Sequence, residues 1–308
     1  MNGNRMNGEP GNGGRANGGP VNGDRVIDKT ERRERRRRRG MYILPSLFTS
    51  GNIAAGYFAI TQSLDGSALA PQHFDYAALA IGFAIPFDSL DGRIARMTNT
   101  TSDFGKELDS LADVITFGVA PSILAFAWGF RMLPLTMEPM LRQQLVDLGA
   151  FFCFLFLICG AGRLARFNIS HNPLPKNPGR PDRKYFVGMP IPAAAGMVAA
   201  VVHFFRGRPV AAWWLAVTWM ALVALIGFLM VSTWRFWSGK EINLSNRHPI
   251  RWIAVFGISL YALVMFSQVL LFVAATGYMF SGIFARFAYS WSRKRKAPPE
   301  IPTPPSLS

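Results

Sequence analysis

The sequence predicts an all-α polytopic membrane protein of about eight transmembrane helices, with a disordered tail at each end. Three observations carry this. Half of the 308 residues are hydrophobic and only 17% are charged, against about 25% charged in a typical soluble domain. Apolar runs of about 20 residues, the length that crosses a bilayer, recur along the chain. Lipid offers no hydrogen-bond partner to the backbone, so such runs close their bonds internally as helices.

Residues 1–25 repeat a five-residue unit (MNGNR, MNGEP, GNGGR, ANGGP, VNGDR). Asn-Gly units bury nothing, so disorder is expected. The repeat lacks the apolar stretch of a signal peptide. ERRERRRRRG follows immediately before the first span. Residues 1–40 hold eleven Arg or Lys against five Asp or Glu, and residues 291–308 hold four against one. Nine of the fifteen net positive charges therefore sit in the two tails, where they suit membrane orientation and anionic headgroups rather than nucleic acid. The predicted division is a tail over 1–40, a membrane-embedded domain over 41–290, and a basic, Pro-rich tail over 291–308.

The spans are expected at about 44–62, 75–95, 107–129, 146–165, 188–206, 211–232, 250–267 and 269–289; the last two share one apolar run. Segments 88–106, 163–186 and 234–251 carry clustered Arg and Lys, while 63–74 and 207–210 hold one Asp and one Arg between them. With an even span count, this alternation places both tails and the basic loops in the cytoplasm. A multi-pass protein of the cell's inner membrane is expected.

The chemistry lies between Phe87 and Gly118, in FDSLDGRIARMTNTTSDFGKELDSLADVITFG. Asp88 and Asp91 are three apart; Asp109 and Asp113 are four apart. Each spacing puts the pair on one helix face. Two consecutive antiparallel helices would then aim four carboxylates at one site near the cytoplasmic membrane edge. Anions there must protonate or bind cations. All-oxygen ligands suit Mg²⁺, Mn²⁺ or Ca²⁺, and four carboxylates carry enough charge for two divalent ions. Gly92, Ala95 and Gly105 leave room for a ligand near the backbone. Arg93 and Arg96 bring the positive charge a phosphate requires. Carboxylates, metal and arginine together point to phosphoryl-type transfer. Elsewhere, His73, His171, His203 and His248 show no metal spacing, and Cys153 and Cys159 share one apolar run without a disulfide pattern.

As a pattern the stretch reads D-x2-D-G-x2-A-R-x8-G-x3-D-x3-D, with all eight specified positions filled. It resembles the signature of the CDP-alcohol phosphatidyltransferases. The resemblance implies a six-helix catalytic core, possible homodimerisation, and two divalent cations, Mg²⁺ or Mn²⁺. It implies that Asp88, Asp91 and Asp109 hold one ion, and that Asp88, Asp109 and Asp113 hold the other. Asp91, Gly92, Ala95, Arg96 and Gly105 would line the CDP moiety. Asp113 would be the general base on the acceptor alcohol.

Further blocks resemble the membrane-integral phosphatidylserine synthases within that family: LPSLFTSGNIAAGYFAI from Leu44, GRLARFNI from Gly162, YFVGMPIPAAAGM from Tyr185, LMVSTWRFWSGK from Leu229 and, more loosely, YMFSG from Tyr278. This implies CDP-diacylglycerol and L-serine as substrates. Arg163 and Arg166 could grip the acceptor carboxylate or a lipid phosphate, or simply snorkel at the membrane edge. Asn52 and Thr49 could line the nucleotide pocket or bond between helices. TWRFW departs from the usual block and bears on acceptor contacts at most. The competing acceptors are glycerol 3-phosphate and inositol phosphate, for which Lys176, Arg180, Arg183 and Lys184 supply basic residues. A divalent-cation transporter is the remote rival, but it would need acids deep within the spans.

Overall fold

The computed structural model describes residues 47–97, 103–169, 185–237, 257, 261 and 265–295. Seven helices lie within them. α1 covers 47–65 and α2 covers Gln72–Met97. α3 runs from Asp103 to Arg131, interrupted by π-helical stretches at Val114–Val119 and Ala127–Arg131. α4 is Pro139–Ile169, α5 Ile191–Phe204, α6 Trp213–Val231 and α7 Ser267–Arg295. The expected span at 250–267 lies almost wholly outside the described residues, and residues 1–46, which include the whole of the first tail, lie outside them. α7 extends five residues into the segment expected as the second tail.

Four helical segments are long and apolar enough to cross a membrane: Phe104–Arg131, Pro139–Ile169, Trp213–Val231 and Ser267–Phe284. Phe151, Phe154 and Ile158 of α4, and Val217, Leu225 and Phe228 of α6, point outward and are exposed. An outward apolar face is what hydrocarbon demands of a bundle. The polytopic helical class predicted from composition is therefore the fold observed.

α5 departs from its expected range of 188–206. With 14 residues it is about 21 Å long, short of a hydrocarbon core of about 30 Å. It is instead the buried axis of the bundle: Ala194, Ala195, Met197, Val198 and Val202 are almost fully enclosed. Pro190, in extended conformation at its N-cap, and Pro192 in its first turn set where it begins. Gly188 before it has φ +77°, and its N–H donates to Trp234 O at 2.8 Å. A side chain at Gly188 would meet Met230 O at 2.5 Å, so glycine is needed for conformation and for space.

That turn joins a small antiparallel ribbon, β1 (Tyr185–Val187) and β2 (Arg235–Trp237), in the register Tyr185↔Trp237, Phe186↔Phe236, Val187↔Arg235. Phe236 is fully buried, and its ring fills the place a side chain would take at Gly282 of α7. On the other side of the bundle α1 meets α3 closely: a side chain at Gly56 would lie 2.6 Å from Thr116 Oγ1. The Thr116 hydroxyl donates to Asn52 O at 2.8 Å. Arg131 caps the end of α1 by donating from Nη2 to Leu64 O and Gly66 O, each at 3.0 Å.

Candidate active site

α2 and α3 bring three of the four signature acids together. Ligand oxygens of Asp88, Asp109 and Asp113 all lie within 4.8 Å of one another, and the three side chains are half-buried. Asp109 and Asp113 are one turn apart on α3, as their spacing requires. Asp113 directly precedes the first π stretch. Such a widened turn alters which face the following residues present, and π turns are frequent at functional sites.

The cluster is electrostatically costly as it stands. Two carboxylates at this separation repel by about 3 kcal/mol at an effective dielectric of about 20. Asp113 Oδ1 is buried without a hydrogen-bond partner. The site therefore calls for a proton or a cation among the three groups. An oxygen-only donor set with one open buried oxygen fits a hard divalent ion.

Asp91, Gly92, Ala95 and Arg96 follow Asp88 on the last turns of α2; the placement of their side chains is outside what is described. Gly105 lies one turn before Asp109 on α3.

The block from Gly162 to Ile169 serves three ends. Arg163 is only 8% exposed, and its Nε is buried without a partner. Its guanidinium sits 5.8 Å from the centre of the Phe167 ring. Arg166 is engaged differently: its Nη1 donates to Val231 O at 3.1 Å, tying α4 to the end of α6. Asn168 Nδ2 donates to Ser110 Oγ at 2.9 Å, bracing α4 against α3 beside Asp109. The basic residues from Lys176 to Lys184 are outside the described residues.

Asn52 is 2% exposed, and both its side-chain amide atoms are buried without a partner. Its backbone carbonyl, rather than its side chain, makes the bond to α3. Thr49, one turn earlier on α1, is also buried. Three residues from three helices, Asn52, Asp113 and Arg163, thus each hold an unsatisfied buried polar atom. Buried polar atoms are seldom left so unless a ligand completes them.

Sequence reasoning assigned no role to Tyr278, although it opens the YMFSG block. Its ring packs against Phe236 of β2, with centres 5.8 Å apart; that contact depends on how α7 docks, and no local spacing encodes it.

Residues 42–224 match the family model described as CDP-alcohol phosphatidyltransferase, a stretch that covers α1 to most of α6. A Helicobacter pylori protein named CDP-diacylglycerol–serine O-phosphatidyltransferase is 36% identical over 209 residues, 66% of this chain and 75% of that protein. A Bacillus subtilis protein of the same name is 33% identical over 217 residues, 69% of this chain and 99% of that protein. An archaetidylserine synthase of Methanothermobacter thermautotrophicus is 36% identical over 161 residues, 51% of this chain and 56% of that protein.

Proposed function

Since the chain belongs to the CDP-alcohol phosphatidyltransferase family, we propose that it transfers the phosphatidyl group of CDP-diacylglycerol to the hydroxyl of L-serine, giving phosphatidylserine and CMP. The observation that carries the chemistry is the meeting of Asp88, Asp109 and Asp113 within 4.8 Å. The acceptor is drawn from the names of the similar proteins and from the buried guanidinium of Arg163, which suits a carboxylate.

Asp88, Asp91, Asp109 and Asp113 would hold two Mg²⁺ or Mn²⁺ ions. When bound, the ions neutralise the diphosphate and stabilise the leaving CMP. Asp113 takes the proton of the serine hydroxyl. The freed oxygen attacks the phosphorus that carries diacylglycerol, and the bond from that phosphorus to the CMP oxygen breaks. Asn52 and Thr49 face the nucleotide, as Gly92, Ala95, Arg96 and Gly105 do from the signature. Arg163 orients the acceptor, and Arg166 holds the end of α6 in place beside it.

The active site and both tails lie on the cytoplasmic side of the inner membrane in this reading, and the catalytic domain spans 41–290. Two copies form a homodimer. The test is CMP release by purified enzyme with CDP-diacylglycerol. Release should require L-serine, yield a lipid with a primary amine, stop in EDTA and return with Mg²⁺ or Mn²⁺. Turnover with glycerol 3-phosphate and none with serine overturns the acceptor. Full activity in chelator overturns the role of the metal.

A further inference from the structure

Two arginines stand at the end of the bundle away from the acids, where phosphatidyl transfer has no use for them. Asp75, which holds the last turn of α5 through His203, precedes Asp88 on α2 by 13 residues, about 20 Å of helix. At that far end Phe204, Phe205, Arg206 and Arg208 line a cavity of about 270 Å³. Its aromatic wall is fixed from behind. The Phe205 ring centre lies 5.9 Å from that of the buried Trp128, and Phe204 stacks on Phe272 of α7 at 4.7 Å.

The backbone that carries the arginines is held as firmly. Gly207 has φ +68°, its N–H donates to Val202 O at 2.9 Å, and a side chain there would run into Pro71 O, between α1 and α2. Closing the turn in this way leaves Arg206 at φ +52°, which is uncommon outside Gly, Asn and Asp. Such strain persists where the surroundings impose it, and it gathers at ligand clamps. Arg206 Nε donates to Gln268 Oε1 of α7 at 3.2 Å. Arg208 makes no side-chain hydrogen bond or ion pair among the described residues. Both arginines are exposed.

Guanidinium groups on an aromatic ledge suit a phosphate that carries an apolar tail. The surroundings favour a lipid as its source. Phe204 and Phe205 are themselves exposed, and so are Trp213 and Trp214 at the start of α6, as aromatic residues are at a membrane–water interface. The cavity is slightly smaller than sites for whole drug-sized ligands, about 300–1,000 Å³, so it takes a headgroup and leaves acyl chains on the outer helix faces. No acid is among the described residues that line it, so the ammonium of a zwitterionic headgroup would find no counter-charge there.

We propose that this cavity binds the headgroup of an anionic phospholipid from the leaflet opposite the acids. Arg206 and Arg208 hold the phosphate, and Phe204 and Phe205 lie against the glycerol and the first methylenes. Because Gln268 and Phe272 of α7 hold one arginine and one wall, the bound lipid also braces the junction of α5 and α7. The site is separate from the acids and does not depend on which alcohol they serve.

The experiment titrates purified full-length enzyme in detergent with phosphatidylglycerol or phosphatidylcholine of identical chains, and reads bound lipid by native mass spectrometry. The unaltered enzyme should prefer phosphatidylglycerol about 25-fold, from about 5-fold for each basic residue at an anionic headgroup. Arg208→Gln should lose about 5-fold of that preference. Arg206→Gly, which keeps the left-handed turn without strain, should lose as much. Equal binding of the two lipids by the unaltered enzyme overturns the proposal. So does a preference that both variants retain, since phosphatidylglycerol would then sit elsewhere, such as in the CDP-diacylglycerol site. Release of phosphatidylglycerol by millimolar inorganic phosphate also overturns it, because the site would then be one for a free anion.

Discussion

His203 Nδ1 lies 2.6 Å from Asp75 Oδ1, in a pair that joins α5 to the first turn of α2. Asp75 precedes Asp88 by 13 residues on one helix, about 20 Å, so the pair clasps the end of the bundle away from the acids. A carboxylate only accepts, so Nδ1 carries the proton and a neutral ring accepts the Ser267 hydroxyl at Nε2. The order Ser–His–Asp is that of a hydrolase triad. Here its polar atoms hold α2, α5 and α7 together.

Replacing that histidine should therefore loosen the bundle without touching the chemistry. His203→Ala leaves Asp75 without its partner in a largely enclosed place, at a cost of about 1.5–3 kcal/mol. Thermal unfolding in detergent should begin several degrees lower, while the KM for CDP-diacylglycerol stays unchanged. A variant with the wild-type unfolding profile would mean that the clasp holds nothing.

Asp113 and Asp88 should part company under substitution. Asp113→Asn retains an oxygen ligand but removes the proton acceptor, so turnover should fall about 10²–10⁴-fold while CDP-diacylglycerol binding is largely kept. Asp88→Asn should lose binding as well, since Asp88 would serve both ions. Measuring lipid-nucleotide binding and kcat side by side decides this. Near-normal kcat in Asp113→Asn removes it as the base.

The two arginines of the Gly162–Ile169 block should also behave differently. Arg163→Lys removes the unpartnered Nε and should raise the serine KM at least about 10-fold, since a lysine cannot reproduce the planar fork. Arg166→Lys acts on the bond to Val231 O and should lower stability, by about 1 kcal/mol, more than acceptor affinity. Equal effects on serine KM would show that both reach the acceptor.

Gly188 gives a purely conformational test. With φ +77° and Met230 O in the way of any side chain, Gly188→Val should disrupt the turn that links β1 to α5. The expected outcome is poorly folded protein with reduced yield in the membrane. Normal insertion and activity would show that the ribbon is dispensable to the fold.

The helical membrane class and the acid signature were legible in the sequence because both are local. Apolar runs of bilayer length have one way to satisfy their backbone, and acids three or four apart share a helix face wherever the helix goes. Asp109 and Asp113 lie one turn apart on α3 as that spacing requires, while their meeting with Asp88 of α2 is the work of packing. What only the tertiary structure decided depends on how distant helices dock. Composition marks 188–206 as one more apolar span, but whether an apolar helix meets lipid or other helices is a property of its neighbours, and α5 is enclosed by them. Arg163 and Arg166 are equivalent three residues apart in sequence. The bundle turns one inward and gives the other a carbonyl of α6. Tyr278 packs on Phe236, 42 positions earlier, whose ring fills the space left by Gly282. Contacts between segments so far apart arise from packing, and a periodicity read along one helix carries no information about them.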